Sequence, residues 1–254
     1  MKYTVITGAS SGIGYESARA FAERGKNLIL VARRGDKLEE LKQTIHADYP
    51  DLDIIVKTSD LTLAENVSAF YESLQDYAIE TWINNAGFGN FDPISGQNLT
   101  KIQSLIRLNI EALTVLSTLY VRDYANVEGT QLINVSSGAG YTIVADAVTY
   151  CASKFYVSAF TEGLAHELKS QGAKMQVKVL APAATETEFA QRARDEDTFT
   201  LEGVMPKYHT AEEMASFMLD LYDGDKILGI VDTKTYTFNL VDPIYPYIDP
   251  LNLN

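Results

Sequence analysis

The chain alternates short runs rich in valine, isoleucine and leucine with longer stretches whose apolar residues recur at helical spacing. The short runs are predicted strands, at Tyr3–Thr7, Asn27–Ala32, Asp53–Lys57, Thr81–Asn84, Gln131–Ser136, Gln176–Leu180 and near Ile227–Val231. The longer stretches are predicted helices, at Ile13–Arg24, Asp36–Tyr49, Leu63–Tyr77, Leu99–Tyr124 and Thr149–Gln171. This alternation is typical of a parallel sheet covered by helices on both faces. We therefore predict one α/β domain with a doubly wound parallel sheet over residues 1–254.

The charge balance limits the partners of the protein. Its 254 residues include 21 basic and 34 acidic side chains, which leave a net charge of −13 at pH 7. A chain this acidic is repelled by nucleic-acid phosphates and anionic lipid headgroups, so we expect neither nucleic acid nor a membrane among its partners. No apolar run approaches the length that spans a bilayer, and the N-terminus shows no secretion signal. Cys151 is the single cysteine, which favours a reducing compartment, so we predict a cytoplasmic protein.

Two segments depart from the alternating pattern. Residues 183–209 are rich in threonine, acidic residues and arginine, and we predict a loop there that serves as a substrate lid. Residues 242–254 contain three prolines, which exclude a helix or a central strand, so we predict an extended C-terminal tail.

The segment Thr7–Gly14 follows a predicted strand and opens a predicted helix. Glycines at positions 8, 12 and 14 allow a sharp turn and a close approach of the backbone to a pyrophosphate. The helix N-terminus adds amide donors and a partial positive charge. The spacing differs from the common G-x-G-x-x-G, and a purely structural turn is the alternative interpretation.

The residues after the second predicted strand bear on the choice of nucleotide. Sites for NAD usually place an acidic residue there to bind the ribose hydroxyls. This chain has Arg33 and Arg34 instead, and two guanidinium groups suit the 2′-phosphate of NADP(H) by charge and by geometry. The pattern favours NADP(H) over NAD(H), with solvated arginines ahead of a helix as the alternative.

Tyr150 and Lys154 are four positions apart on a predicted helix and therefore share one face. A neighbouring ammonium favours the phenolate, so we expect Lys154 to lower the pKa of Tyr150 toward the working range of a general acid/base. Tyr222 and Lys226 have the same spacing, but Gly224 lies between them at a predicted helix end, so we do not expect that pair to share a face.

Together these motifs resemble the short-chain dehydrogenase/reductase family, in its single-domain branch of about 250 residues, over residues 2 to about 190. Thr7–Gly14 is similar to that family's T-G-x-x-x-G-x-G motif, and Asn84-Asn85-Ala86-Gly87 matches its N-N-A-G. Asp60 and Leu61 resemble its adenine-contacting pair. The order and spacing of its catalytic tetrad is matched by Asn109, Ser137, Tyr150 and Lys154.

The resemblance implies a Rossmann-type fold and a role for each tetrad residue. Tyr150 would donate or accept the proton at the reacting oxygen, and Lys154 would lower its pKa and hold the nicotinamide ribose. Ser137 would bind the reacting oxygen, and Asn109 would position a water that relays protons to Lys154. The implied cofactor contacts are Gly8, Ser10, Ser11, Gly12, Ile13, Gly14, Arg33, Arg34, Asp60, Leu61, Asn85, Ala86, Gly87, Tyr150, Lys154, Pro182, Thr185 and Thr187.

Two departures from the family pattern are visible. Ala183 replaces the glycine of the family's P-G-x-x-x-T segment, which predicts a strained or shifted loop if that glycine has a positive φ. The tail at 242–254 does not match the family's short C-terminus, so homodimer and homotetramer both stay open. Phe88, Phe91, Tyr141 and Ile143 are candidates for an apolar substrate pocket, and Trp82 is a predicted core residue.

We therefore predict an NADP(H)-dependent oxidoreductase that transfers a hydride between the nicotinamide and a small-molecule carbonyl or alcohol. One alternative is an epimerase or dehydratase that retains its cofactor, and another is a regulator that senses NADP without turnover. The histidines at 46, 166 and 209 have no acidic or thiol neighbours at ligand spacing, so we assign no metal.

Overall fold

The computed structural model describes residues 1–196 and 198–248 of the chain. The strands are β1 Lys2–Thr7, β2 Asn27–Ala32, β3 Ile54–Thr58, β4 Ala78–Asn84, β5 Gln131–Val135, β6 Gln176–Ala181, β7 Leu228–Val231 and β8 Phe238–Val241. The helices are α1 Gly12–Glu23, α2 Gly35–Asp48, α3 Ala64–Glu72, α4 Leu99–Ile106, α5 Leu113–Tyr124, α6 Val148–Ser170, α7 Glu188–Arg194 and α8 Ala211–Asp223. A π-helical segment, Arg107–Ala112, joins α4 and α5 without a break.

All strands form one sheet in the order β3-β2-β1-β4-β5-β6-β7-β8. The first seven are parallel, and β8 pairs antiparallel with β7. The strand order reverses between β1 and β4. In doubly wound sheets a crevice opens at that point, outside the carboxyl ends of the strands, and ligands bind there. This confirms the predicted Rossmann-type fold and locates the crevice beside the glycine-rich segment.

The core has two halves, one on each face of the sheet, because neighbouring strand residues point to opposite sides. Val5 belongs to the half covered by α3 and α5, whereas Ile6 belongs to the half covered by α1, α2 and α8. Trp82 is fully buried in the first half, as predicted, and packs against Tyr71 and Tyr120. Strands that are buried on both faces explain the nearly continuous apolar runs of the sequence.

Several elements differ from the sequence expectations. The strand β8 was not predicted, the helix α8 was expected only through its end at Gly224, and α3 ends at Glu72 rather than near Tyr77. The predicted lid loop at 183–209 is not structureless, since α7 lies within it, and its residue 197 falls outside the described residues. Residues 242–248 of the predicted tail contain no helix or strand, and residues 249–254 also lie outside the described part of the chain.

In the described part of the chain, the continuous helix Leu99–Tyr124 is long and apolar enough to cross a membrane by length and composition alone. The helix has 26 residues and contains an 18-residue window with a mean hydropathy of 1.2, so the expectation that no apolar run has such a length is wrong. Leu105, Leu116 and Tyr120 are buried inside the domain. The core helix of a globular domain passes the same test, so this helix is weak evidence for a membrane span.

Candidate active site

The candidate site lies at the carboxyl edge of the sheet, where the segments that follow the parallel strands meet. The glycine-rich loop follows β1, the arginine pair follows β2, and Asp60 lies just beyond β3. The segment Asn85–Gly87 follows β4, Ser137 lies just beyond β5, and Pro182 follows β6. Because parallel strands all end at the same edge, residues that are far apart in sequence converge there.

The glycine-rich loop is shaped by contacts that only glycine permits. Gly8 has a φ of +71°, and a Cβ at this position would lie 2.8 Å from the Cα of Ala86. A Cβ at Gly14 would lie 2.4 Å from the Asn85 amide nitrogen. The Asn85 amide donates to the carbonyl of Thr7 at 3.0 Å. These contacts hold the loop against the segment after β4 and leave backbone amides at the start of α1 facing the crevice, a geometry that suits a pyrophosphate.

Arg34 is tied to both sides of the crevice. Its guanidinium donates to the hydroxyl and the carbonyl of Ser10, each at 3.2 Å, and forms an ion pair with Glu188 of α7 at 3.1 Å. Arg33 is exposed at the rim of the same cavity. The two arginines and Ser10 therefore surround the position at which a ribose phosphate would be bound by charge-assisted hydrogen bonds.

The segment after β3 is ordered by its own side chains. The Asp60 carboxylate accepts hydrogen bonds from the backbone amide and the hydroxyl of Thr62, at 3.0 and 2.7 Å. Leu61 is buried, and both residues line the cavity beside the arginine pair. This geometry offers an apolar side chain and a polar group at the expected position of the adenine.

Tyr150 lies in the first turn of α6, and 6% of its surface is exposed. Burial raises its pKa to about 12, because the phenolate loses hydration, and an interaction with the Ser137 hydroxyl partly lowers the pKa. The rings of Phe91 and Phe189 lie 6.1 and 5.4 Å from the Tyr150 ring. The expected net lowering of this pKa by Lys154 is wrong, since burial outweighs any effect of the ammonium.

Lys154 is buried one turn further along α6, with 5% of its surface exposed. Its Nζ donates to the carbonyl of Val135 at 2.9 Å and lies 6.0 Å from the centre of the Tyr150 ring. Burial lowers the pKa of Lys154 to about 8, because the ammonium loses hydration. The two tetrad residues therefore share one face, as predicted, with the ammonium turned toward the end of β5.

Asn109 lies in the π-helical segment, where one extra residue per turn changes the direction of the side chain. Its amide donates to the carbonyl of Phe88 at 3.0 Å and to the Ser153 hydroxyl at 3.2 Å, and its Oδ1 accepts from the Phe88 amide. A Cβ at Gly87 would lie 3.1 Å from the Asn109 Oδ1 and 3.6 Å from the Lys154 Nζ. Asn109 thus fixes the loop after β4 and lies behind Gly87 rather than in the cavity.

Two serines follow β5, and the sequence predicts Ser137 as the one in the site. Ser136 is buried and bonds to the Ser158 hydroxyl and to the carbonyl of Lys154, at 2.7 and 3.0 Å. Ser137 lines the cavity, and its hydroxyl accepts from the amide of Ala139 at 3.1 Å. The placement of Ser137 beside Tyr150 agrees with the choice made from the sequence.

The segment after β6 carries the last predicted contacts. Pro182 accepts a hydrogen bond from the amide of Gly138, Thr185 pairs with His209, and Thr187 caps α7 by accepting from the amide of Phe189. Among the described residues, the non-glycine positions with positive φ are Asp146, Asp195 and Tyr236. Ala183 is not one of them, so the strain considered for this substitution does not occur.

A single cavity of about 1170 Å³ joins these groups. The predicted contacts that line it are Gly8, Ser10, Ser11, Gly12, Ile13, Arg33, Arg34, Asp60, Leu61, Asn85, Ala86, Gly87, Ser137, Tyr150, Lys154, Pro182, Thr185 and Thr187. Gly14 and Asn109 support the lining from behind. The cavity is large enough for a dinucleotide and a substrate. Its backbone amides, guanidinium groups and buried tyrosine are the groups that such a ligand would contact.

Apolar side chains also line the cavity. Among them are Phe88 and Phe91, as predicted, together with Phe199, Leu201, Val204 and Met205 of the segment 183–209, and the Arg194 guanidinium lies over the rings of Phe91 and Phe199. Tyr141 and Ile143 do not line the cavity. Tyr141 turns away and donates to the Glu162 carboxylate at 2.5 Å, and Ile143 is 73% exposed.

Three further groups were not identified from the sequence. Glu188 and Arg192 of α7 face Arg34, and their i, i+4 spacing was the available signal. The turn between β7 and β8 brings Thr233 and Tyr236 to the cavity, without any local signal. The buried Glu162 carboxylate accepts hydrogen bonds from the amides of residues 244 and 245 at 2.8 and 2.9 Å, and so binds the start of the tail.

The second tyrosine–lysine pair behaves as expected from Gly224. The helix α8 ends before that glycine, and Lys226 forms an ion pair with Asp242 at 3.0 Å. Tyr222 instead packs beneath the Lys26 ammonium, 5.7 Å from the ring centre. This pair therefore lies outside the site.

Comparison with known proteins places this geometry in a family. The sequence model for short chain dehydrogenases matches residues 2–198. An uncharacterised oxidoreductase of Staphylococcus saprophyticus is 32% identical over 198 residues, which cover 77% of this chain and 79% of that protein.

Solved structures with a similar fold lead to the same family. A short-chain dehydrogenase from Sphingobium yanoikuyae in complex with NADPH has a TM-score of 0.82 and 30% identity, covering 91% of this chain and 87% of that one. A bulky-bulky ketone specific alcohol dehydrogenase from Comamonas testosteroni has a TM-score of 0.78 and 28% identity, with 91% and 86% covered. An NAD complex from Burkholderia phymatum, at 22% identity and a TM-score of 0.76, covers 86% of this chain and 84% of that one and shares the fold. The chain belongs to the short-chain dehydrogenase/reductase family of oxidoreductases.

Proposed function

We propose that the protein is an NADP(H)-dependent reductase of ketones or aldehydes, or the corresponding alcohol dehydrogenase, with Tyr150 as the general acid/base. The observation that carries this proposal is the position of Tyr150. Its buried phenol lies beside Ser137, with Lys154 on the same helix face, where the polar half of the cavity meets the apolar half. A carbonyl oxygen at this junction would be within reach of two hydroxyl groups.

A nicotinamide cofactor held by the glycine-rich loop and Lys154 would supply the hydride for the reduction of a carbonyl carbon. Tyr150 donates its proton to the carbonyl oxygen, and the Ser137 hydroxyl donates a hydrogen bond to the same oxygen as negative charge develops there. In the oxidation, the Tyr150 phenolate takes the proton of the alcohol. Phe91 and Phe189 shield the phenol from water, so the proton passes between positioned groups rather than to bulk solvent.

The pKa of Tyr150, raised to about 12 by burial, has a consequence for each direction. The phenol is protonated at neutral pH, which is the form that a proton donor needs. The oxidation needs the phenolate, and its rate therefore rises with pH. Lys154, whose pKa burial lowers to about 8, adds a positive charge nearby only below that pH.

The preference for NADP(H) rests on charge. Arg33 and Arg34 lie at the rim, Arg34 is oriented by Ser10, and no acidic residue follows β2 to bind ribose hydroxyls. A 2′-phosphate carries about two negative charges, and guanidinium groups bind phosphates in a two-pronged manner. The NADPH complex of the Sphingobium relative supports this preference.

The substrate end of the cavity favours a bulky apolar carbonyl compound. The rings of Phe91 and Phe189 lie against the phenol, and Leu201, Val204 and Met205 line the same cavity. Pockets of this kind bind by burying apolar surface. The ketone specificity of the Comamonas relative is consistent with this class. We also propose that the protein is cytoplasmic and that it forms a homodimer or a homotetramer. Light scattering on the purified protein would test the oligomeric state.

The test is the replacement Tyr150→Phe, with Tyr156→Phe on the same helix as the control. The Tyr156 hydroxyl is at the surface, 2.9 Å from the Thr114 hydroxyl. General acid/base catalysis contributes about 10²–10⁴-fold. We therefore expect Tyr150→Phe to lower kcat for NADPH-dependent ketone reduction at least about 100-fold, while the Kd for NADPH changes less than about threefold.

The outcomes separate the candidate functions. Unchanged turnover in Tyr150→Phe would contradict the acid/base role. Tight NADPH binding by the wild type with no turnover of any carbonyl or alcohol would favour the regulator that senses NADP. Turnover without net change of the cofactor would favour the epimerase or dehydratase.

A further inference from the structure

The arginine of the candidate phosphate site is bound to the lid helix. Arg34 contacts Glu188 with both ends of its guanidinium, at 3.1 Å between Nη2 and Oε2 and 3.4 Å between Nη1 and Oε1. Glu188 belongs to α7, at a distance of 154 positions in the sequence. Arg192, one turn further along α7, forms an ion pair with the same carboxylate.

A Glu188–Arg192 pair alone would be an ordinary i, i+4 pair on a helix surface. The cluster here contains more positive charge than such a pair needs. Arg34 and Arg192 pair with the Glu188 carboxylate, Arg33 is near enough to Arg192 for its charge to act on it, and all four residues line the same cavity. Burial, followed by the charges of Arg34 and Arg33, lowers the pKa of Arg192 even though Glu188 opposes the shift. The three guanidiniums of this cluster and its single carboxylate leave an excess of two positive charges.

That excess matches the charge of a phosphate monoester, which is close to −2 at neutral pH. Ser10 adds a hydroxyl and a carbonyl to the cluster through Arg34. The Glu188 carboxylate accepts hydrogen bonds from guanidinium groups, as a phosphate does. A bound phosphate would therefore compete with this carboxylate for the same arginines.

We propose that Arg192 is a third phosphate-binding residue beside Arg33 and Arg34, so that the lid helix α7 itself binds the 2′-phosphate of NADP(H), with Glu188 as the internal anion that the phosphate replaces. This inference deepens the proposed function, on which it rests. It makes Arg192 a determinant of cofactor specificity.

The link to the reaction is direct, because α7 also reaches Tyr150. The start of α7 packs on the glycine-rich loop, where a Cβ at Gly12 would lie 2.9 Å from the Thr187 methyl group. Phe189, in the first turn of α7, lies against the Tyr150 ring. A phosphate that binds Arg192 therefore holds α7 over the phenol, whereas NAD(H), which lacks that phosphate, does not.

The experiment measures the Kd values of NADPH and NADH by calorimetry for the wild type, Arg192→Gln and Glu188→Gln. Arg194→Gln is the control on the same helix, since that guanidinium lies over Phe91 and Phe199, at 5.5 and 4.5 Å. A charge-assisted bond at a half-exposed site predicts about five- to tenfold weaker NADPH binding in Arg192→Gln, with NADH within about twofold. Glu188→Gln is expected to bind NADPH about threefold more tightly, because a competing anion is removed.

Arg192→Gln with unchanged NADPH affinity, or with equal losses for NADPH and NADH, would overturn the inference. A gain in NADPH affinity only in Arg194→Gln would also overturn it. If the wild type does not distinguish NADPH from NADH, the proposed cofactor preference fails as well. If the wild type distinguishes them and Arg34→Gln removes the difference while Arg192→Gln does not, only the inference fails.

A second measurement needs no variant. Amide hydrogen exchange of α7 is followed with adenosine 2′-monophosphate and, in parallel, with adenosine 5′-monophosphate, neither of which carries a nicotinamide. Slower exchange of α7 with the 2′-phosphate alone supports direct binding by the lid helix. Equal exchange with both nucleotides contradicts it.

Discussion

Replacing Lys154 with methionine should separate the stability of the fold from its chemistry. Burial lowers the pKa of this lysine from 10.5 to about 8. At 1.36 kcal/mol for each pH unit, the charged form destabilises the folded state by roughly 3 kcal/mol. Methionine keeps the side-chain length and removes this penalty, but it also removes one hydrogen bond to the carbonyl of Val135, which contributes about 1.5–3 kcal/mol. We expect Lys154→Met to be up to about 1.5 kcal/mol more stable than the wild type at pH 7, and to lose at least about 100-fold in kcat.

The pH dependence gives the sharper test. Between pH 8 and 10.5 the unfolded state binds the lysine proton and the folded state does not. The free energy of unfolding of the wild type therefore increases as the pH rises through this range, and this gain is lost as the pH falls to 8 and below. The advantage of Lys154→Met is therefore full below pH 8 and declines by roughly 3 kcal/mol up to pH 10.5. Urea unfolding of both proteins across this range measures the difference, in which other titrating groups cancel. A constant difference, or one that grows in favour of the variant with pH, would refute the reasoning.

The other predictions concern groups that support the site. Lys178 is buried like Lys154 but donates to three carbonyls at the end of α8, each at 2.8 Å, so Lys178→Met should destabilise the protein by at least about 2 kcal/mol in urea unfolding. A gain in stability would contradict that. Glu162→Ala leaves three donors without an acceptor, among them the Tyr141 hydroxyl, and should lower the Tm by about 5–10 °C, with the exposed Glu167→Ala as the control. Equal Tm values for the two alanine variants would show that the carboxylate does not bind the tail.

Most of the sheet could be predicted because buried parallel strands leave a strong local pattern. The bounds of β2 agree with the expectation, and those of β1 and β6 differ by one residue at one end. Only the end of the helix α8 was expected, although the signal for its start was present, since Thr210 and Glu213 form a capping box and Met214, Met218 and Leu221 recur at helical spacing. The strand β8 has four residues, and its alternation is limited to the exposed Asn239 between the partly buried Phe238 and Leu240, so the sequence carries little information about it.

For the site, the sequence predicted which residues meet, and the structure added how they interact. The positions of Tyr150 and Lys154 follow from helical spacing and a motif, but their pKa values depend on burial, which local sequence does not reveal. The contact between Arg34 and Glu188, and that between Glu162 and the tail, join segments that are 154 and 82 positions apart. Such pairs depend on the three-dimensional packing of the sheet, and no spacing rule identifies them.

The antiparallel strand β8 has a consequence for how enzymes with this architecture can diversify. Every other neighbouring strand is reached through a crossover that the domain needs for its core, whereas β7 and β8 are joined by a short surface turn at 232–237. That turn brings Thr233 and Tyr236 to the cavity without contributing to the central parallel ladder. Insertions or exchanges there can reshape the chamber around the reacting molecule while the nucleotide half stays intact. A library confined to this turn is therefore an economical starting point for altering the range of compounds that the protein converts.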